Sequence, residues 1–236
     1  MSRIVAYGDS FTVGQGLNPN DPCPEIPDEN SWPYLLGNSH SIPASNRAGI
    51  GIGNKTIWHV ICNAEHKEDD IVIICWSFPA RFAVVTDEYD YTIYPESKTL
   101  DDSSVNLFRC DMHTIGPWHE DDYVLNFYEN LHTDNNSYID TLLYMNHADM
   151  YLKSLGIKHV IHTGVPLVPQ FELISEVPIR GKNTQYDTYC LPHWNKIKMP
   201  FTMTGALLKF GEAPDGHLSL KAHKYFATQL LTILPF

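Results

Sequence analysis

The chain has 236 residues, 43% hydrophobic and 12% aromatic, with a formal charge of -12 from 16 basic and 28 acidic side chains. That length and composition suit one well-cored domain over 1–236 and exclude a disordered tail. An acidic balance without basic stripes argues against nucleic acid, and no apolar run is long enough to span a membrane.

The first apolar run, Arg3–Tyr7, is short, continuous and closed by Gly8-Asp9-Ser10, the pattern of a strand buried on both faces. Asn18–Asn30, with four prolines, reads as a surface loop. Ser45–Ala48, Asp70–Trp76 and Lys158–Thr163 repeat the strand pattern, and Met203–Phe210 is taken as a fifth strand. The clearest helix spans Ser137 to Leu155. Ser137 is its expected N-cap, Leu142, Leu143, Met145 and Leu152 share one face, and Gly156 is the stop. The last helix starts at Ser219 and turns Leu220, Phe226 and Leu230 inward. Such alternation predicts an α/β fold, a three-layer α/β/α sandwich with a parallel sheet of about five strands. Residues 82–136 break the rhythm with aromatic residues from Tyr89 to Tyr128, and read as an insertion after the third strand. It forms a lid, a pocket wall, or a subdomain that only packs.

The five cysteines are odd in number, widely spaced and without a C-x-x-C, so they read as reduced thiols, with Cys75 inside a strand. The start lacks the basic and long apolar regions of a secretory signal, and a cytoplasmic protein is expected. A virion-borne or lysis-released protein fits the same pattern.

Gly8-Asp9-Ser10 sets a hydroxyl at the carboxyl edge of the first strand, where open α/β sheets hold ligands. A serine nucleophile needs a base, an acid that orients the base, and donors for the oxyanion. Pro214-Asp215-Gly216-His217-Leu218-Ser219, just before the last helix, offers His217 as base and Asp215 as its orienting acid, with Glu212 in reserve. Taken singly these signals are ambiguous. Ser10 alone reads equally as the N-cap of the next helix. Gly49, Gly51 and Gly53 read as a strand-to-helix turn, and their spacing is not that of a dinucleotide fingerprint. Arg81 suits an ion pair as well as a site, while His223 and His162 suit packing. His113 and His119, near Asp111 and Glu120, match no metal-ligand spacing, so neither metal nor organic cofactor is expected.

In order along the chain, Gly8-Asp9-Ser10, Asn46-Arg47-Ala48-Gly49-Ile50-Gly51 and Asp215-Gly216-His217 resemble blocks of the SGNH (GDSL-type) hydrolase superfamily. The resemblance implies a flavodoxin-like sandwich and an esterase using Ser10 as nucleophile, His217 as base and Asp215 as acid. It also implies that the backbone N–H groups of Ser10 and Gly51 hold the oxyanion, with Asn54 in the same binding region. Two blocks depart from the pattern. Trp76-Ser77-Phe78-Pro79-Ala80-Arg81 stands where the family has Gly-x-Asn-Asp, so Ser77 or Arg81 is the candidate replacement for the asparagine donor. Asp215 lies two residues before His217, where the family spacing is Asp-x-x-His. The function implied is removal of a short acyl group, such as acetyl, from a sugar or other small alcohol through an acyl-serine. Acyl transfer by the same residues, or a non-catalytic glycan- or partner-binding member of the fold, are the alternatives.

Overall fold

The computed structural model describes residues 2–21, 24, 26–85, 92–93, 108–109, 112–116, 119–132, 134–164, 203–213 and 215–235. Its centre is a four-stranded parallel sheet of β1 (Ile4–Tyr7), β2 (Ala44–Asn46), β3 (Ile71–Trp76) and β8 (His159–Gly164), in the order β2-β1-β3-β8. β1 and β3 are buried along their whole lengths, which is why they appear as unbroken apolar runs. Alternate side chains divide between two cores. Val5, Tyr7, Val72, Ile74 and Trp76 face α3 (Asn54–Asn63) and α5 (Asp134–Ser154). Ile4, Ala6, Ile71, Ile73 and Cys75 face α2 (Trp32–His40), α6 (Met203–Phe210) and α7 (Leu220–Leu231). This is the expected α/β layering, with four strands in the central sheet among the described residues. The second core is closed by Trp32 against the edge of Phe226, with ring centroids 5.3 Å apart.

Several sequence expectations are corrected. Met203–Phe210 is a helix, with Met203 and Ala206 buried in the second core, and it adds no strand. An eight-residue apolar run fits either period, and here its burial sits one helical turn apart. Ser137 lies inside α5, which begins at Asp134; the Ser137 hydroxyl is 2.7 Å from His132 Nε2. Leu143 and Leu220 are 47% and 39% exposed, so they do not share the buried faces of their helices. Gly156, at φ +84°, ends the turn after α5 as expected, and Ser219 caps α7 by accepting the Ala222 N–H.

The segment after β3 contains two short antiparallel ladders. One pairs β4 (Phe82–Val85) with β7 (Met112–Ile115), the other β5 (Thr92–Ile93) with β6 (Phe108–Arg109). α4 (Asp122–Asn130) follows, and its Tyr128 hydroxyl donates to the carbonyls of Ala80, at 2.6 Å, and Ile115, at 3.1 Å. Tyr128 thereby fastens the insertion to the loop that carries Arg81. Most of the aromatic stretch from Tyr89 to Trp118 lies outside the described residues. Among the described residues no helix is long and apolar enough to cross a membrane, and Cys62 and Cys75 are free thiols.

Candidate active site

β1 delivers Gly8-Asp9-Ser10 to the carboxyl edge of the sheet, where the short helix α1 (Ser10–Val13) begins. A Cβ at Gly8 would collide with Thr12, so only glycine allows so tight a strand-to-helix turn. Asp9, not Ser10, is the N-cap: its Oδ1 accepts the Phe11 N–H at 3.1 Å. Ser10 is therefore the first helical residue, and its own N–H is one of those an α-helix leaves without an intrahelical acceptor. Its hydroxyl is left for chemistry outside the helix.

The turn between α6 and α7 brings His217, the candidate base. Gly211 at φ +76° and Gly216 at φ +83° supply its left-handed positions. The Ala213 N–H donates to the His217 carbonyl at 2.6 Å and closes the loop. His217 Nε2 lies 3.0 Å from Ser10 Oγ, and Nδ1 lies 3.1 Å from Asp215 Oδ2. An ionised carboxylate only accepts, so Nδ1 carries the proton and Nε2 accepts from the serine. Asp215 Oδ1 also accepts the His217 backbone N–H at 3.1 Å, so one carboxylate holds both ring and main chain. The Phe11 ring packs beside the imidazole, with ring centroids 5.0 Å apart. Glu212 is exposed and tied into the loop by a backbone bridge to Leu218; no hydrogen bond joins its carboxylate to His217 among the described residues. The structure thus brings together Ser10, His217 and Asp215, 207 residues apart at the extremes.

The loop after β2 is hung from β1. Arg47 donates its N–H to the Ala6 carbonyl at 2.8 Å, and Gly49 to Gly8 at 3.0 Å. Asn46 reinforces the joint, its amide donating to the Thr12 carbonyl at 2.7 Å. Gly51, at φ +73°, follows, with nothing within 4 Å of where its Cβ would stand. Backbone and open space are what this position presents.

Asn54, Ser77 and Arg81 are engaged with the protein. The Asn54 side chain accepts the Ser77 N–H at 2.7 Å and donates to the Ser77 carbonyl at 3.1 Å and to Thr141 Oγ1 at 2.9 Å. The Ser77 hydroxyl donates to Asp9 Oδ2 at 2.7 Å. Arg81 Nη1 reaches the same oxygen at 3.1 Å and Ser77 Oγ at 3.1 Å. Ser77 and Arg81 thus converge on the Asp9 carboxylate, beside Ser10.

His162 and His223 are buried. His162 Nδ1 accepts from Trp76 Nε1 at 3.1 Å, so its Nε2–H points to Asp149, 3.4 Å away. His223 Nδ1 accepts the Trp32 N–H at 3.1 Å, and burial, with His217 adding, pushes its pKa down to about 3. Cys75, beneath Gly8, has its thiol pushed well up by burial and is inert packing. Two participants were absent from the sequence reading. Asp9 was seen only as part of the motif. Gly16, at φ +80°, has the Asp215 carboxylate where a Cβ would stand.

No protein-family model and no curated protein sequence matches the chain. Similar solved structures include a protein described as a lipolytic member of the G-D-S-L family from Desulfitobacterium hafniense DCB-2. It is 13% identical over 98% of this chain and 99% of that one, with a TM-score of 0.48. A G-D-S-L family lipolytic protein from Veillonella parvula DSM 2008 is 12% identical over 99% and 100%, with a TM-score of 0.47. A carbohydrate esterase, described as having divergent catalytic and non-catalytic binding functions at its active site, is 12% identical. That likeness covers 98% of this chain and 67% of the other, at a TM-score of 0.50. At such identity the likeness speaks to architecture alone, that of a parallel sheet layered between helices.

Proposed function

We propose that the protein is a serine carboxylic-ester hydrolase, one domain of this fold, that removes a short acyl group, such as acetyl, from a sugar or other small alcohol. The observation that carries the reading is the hydrogen-bonded line from Ser10 Oγ through His217 to Asp215, at 3.0 and 3.1 Å. In the first step Ser10 Oγ bonds to the acyl carbon while its proton passes to His217 Nε2, and Asp215 stabilises the imidazolium. The N–H groups of Ser10 and Gly51 take the developing oxyanion. His217 then protonates the departing alcohol as the C–O bond breaks, leaving acyl-Ser10. Water, deprotonated by His217, releases the acid and restores the serine. No metal or organic cofactor enters any of these steps.

The test is turnover of p-nitrophenyl acetate and a panel of O-acetylated sugars by the wild type, Ser10→Ala and His217→Ala. Hydrolysis above background that disappears in both variants is expected. A folded wild type that releases no acid from any of them contradicts the reading.

A further inference from the structure

Asp9 brings a negative charge to the place where an oxyanion on Ser10 would make another. It is the residue before Ser10, and its carboxylate has no solvent exposure. Oδ1 accepts the Phe11 N–H, and Oδ2 is met by the loop after β3. There Ser77 Oγ donates at 2.7 Å and Arg81 Nη1 at 3.1 Å. Arg81 is the cation that pairs with this carboxylate among the described residues. Without it, a buried carboxylate beside Ser10 would oppose any anion forming there, because a low-dielectric site screens like charges poorly.

The same guanidinium reaches the other half of the site. Arg81 Nη1 lies 3.4 Å from the carbonyl oxygen of Ile52, the residue after Gly51. Gly53 packs so closely on the Arg81 backbone that a Cβ there would lie 2.7 Å from the Arg81 carbonyl oxygen. Arg81 is thus held between the two segments that carry the proposed oxyanion donors, the N–H of Ser10 on one and that of Gly51 on the other. The Phe78 ring, its centroid 5.2 Å from the guanidinium carbon, packs on the same side chain. Tyr128 fixes the backbone just before it through the Ala80 carbonyl.

We propose that Arg81 is a positioning residue for the esterase reaction, acting through Asp9 and Ile52 and not on the ester itself. Its charge cancels that of Asp9 beside the developing oxyanion, and its contacts fix the Ser10 and Gly51 N–H groups relative to each other. Ser77 adds a neutral hydrogen bond to the same Asp9 oxygen. The assignment rests on the esterase reading above, since it needs an oxyanion on Ser10.

The test measures kcat and KM for p-nitrophenyl acetate in the wild type, Arg81→Met, Arg81→Lys and the double variant Arg81→Met/Asp9→Asn. kcat is taken per serine titrated by a fluorophosphonate, so that unfolded protein does not count. Arg81→Met should lose about 10²-fold in kcat, the size of a lost oxyanion donor, with KM within about threefold. Arg81→Lys keeps the charge and should lose less. Adding Asp9→Asn to Arg81→Met should restore about tenfold, because asparagine still caps α1 and leaves no charge to cancel. A double variant as slow as Arg81→Met overturns the proposal and makes Arg81 a direct donor to the ester. An unchanged kcat in Arg81→Met, or a loss confined to KM, overturns it as well. If Arg81→Met does not fold, Ser77→Ala tests the same oxygen. There a kcat about fivefold lower at unchanged KM supports the assignment, and an unchanged kcat overturns it. A wild type that hydrolyses no ester and takes no fluorophosphonate on Ser10 contradicts the esterase reading itself, and the role of Arg81 falls with it.

Discussion

Asp9 and Arg81 are joined at 3.1 Å, a carboxylate with no solvent exposure against a guanidinium that keeps only 12% of its own. The pair lies directly behind Ser10 and ties the loop after β3 to the cap of α1. Removing one partner of such a pair leaves a buried charge without compensation. Arg81→Met should therefore destabilise the fold by about 3 kcal/mol, and adding Asp9→Asn to it should cost less than the two single changes summed. Urea unfolding of the two single variants and the double variant reads this coupling. Strict additivity would contradict the pairing.

Gly16 makes room for the acid of the proposed triad. An alanine there meets the Asp215 carboxylate and must also hold a positive φ, itself a cost of about 1 kcal/mol. Gly16→Ala should keep the fold but lower ester turnover about tenfold, because a displaced acid no longer orients the base. The same turnover as wild type would show that Asp215 tolerates the shift.

Asp215 and Glu212 are separated by the same assay. Asp215→Asn should reduce kcat by roughly 10² or more, by analogy with other Ser-His-Asp sites. Glu212→Gln should stay within about twofold, as expected for an exposed substitution away from any such site. A larger loss in Glu212→Gln than in Asp215→Asn would reverse the assignment.

His223 makes stability depend on pH. Its folded pKa of about 3 lies below the unfolded value near 6.5, so the unfolded chain binds the extra proton between those limits. The contribution is complete above pH 6.5 and is lost as pH falls toward 3. By pH 5 the loss should be about 2 kcal/mol. His162 and His66, both pushed down chiefly by burial, act in the same direction. His223→Asn, whose side-chain oxygen keeps an acceptor for the Trp32 N–H, should flatten the acid limb of a plot of urea midpoint against pH. An unchanged limb would rule His223 out as its source.

Much of this arrangement was legible because the chemistry sits at ends of elements. Ser10 follows a strand of four apolar residues and His217 precedes a helix with a serine cap, so local pattern alone directs both to one edge of the sheet. The partnership of Asp9 with Arg81 was not legible. Arg81 was read either as an ion-pair partner or as a donor for substrate, and only packing across 72 positions shows that its partner is Asp9. Gly14-Gln15-Gly16 signals a turn, yet nothing local says whose carboxylate covers it. Met203–Phe210 failed as a strand because a short apolar run carries no decisive period. Leu143 and Leu220 failed because facing depends on how a helix is rotated against its neighbours, which composition does not contain.

The central claim is that Ser10 is an activated nucleophile, and its most direct test is intact mass after treatment with a fluorophosphonate. The account predicts one adduct, mapped to Ser10, absent in Ser10→Ala and formed far more slowly in His217→Ala. Folded wild-type protein that gains no mass, or gains it equally in Ser10→Ala, would contradict it.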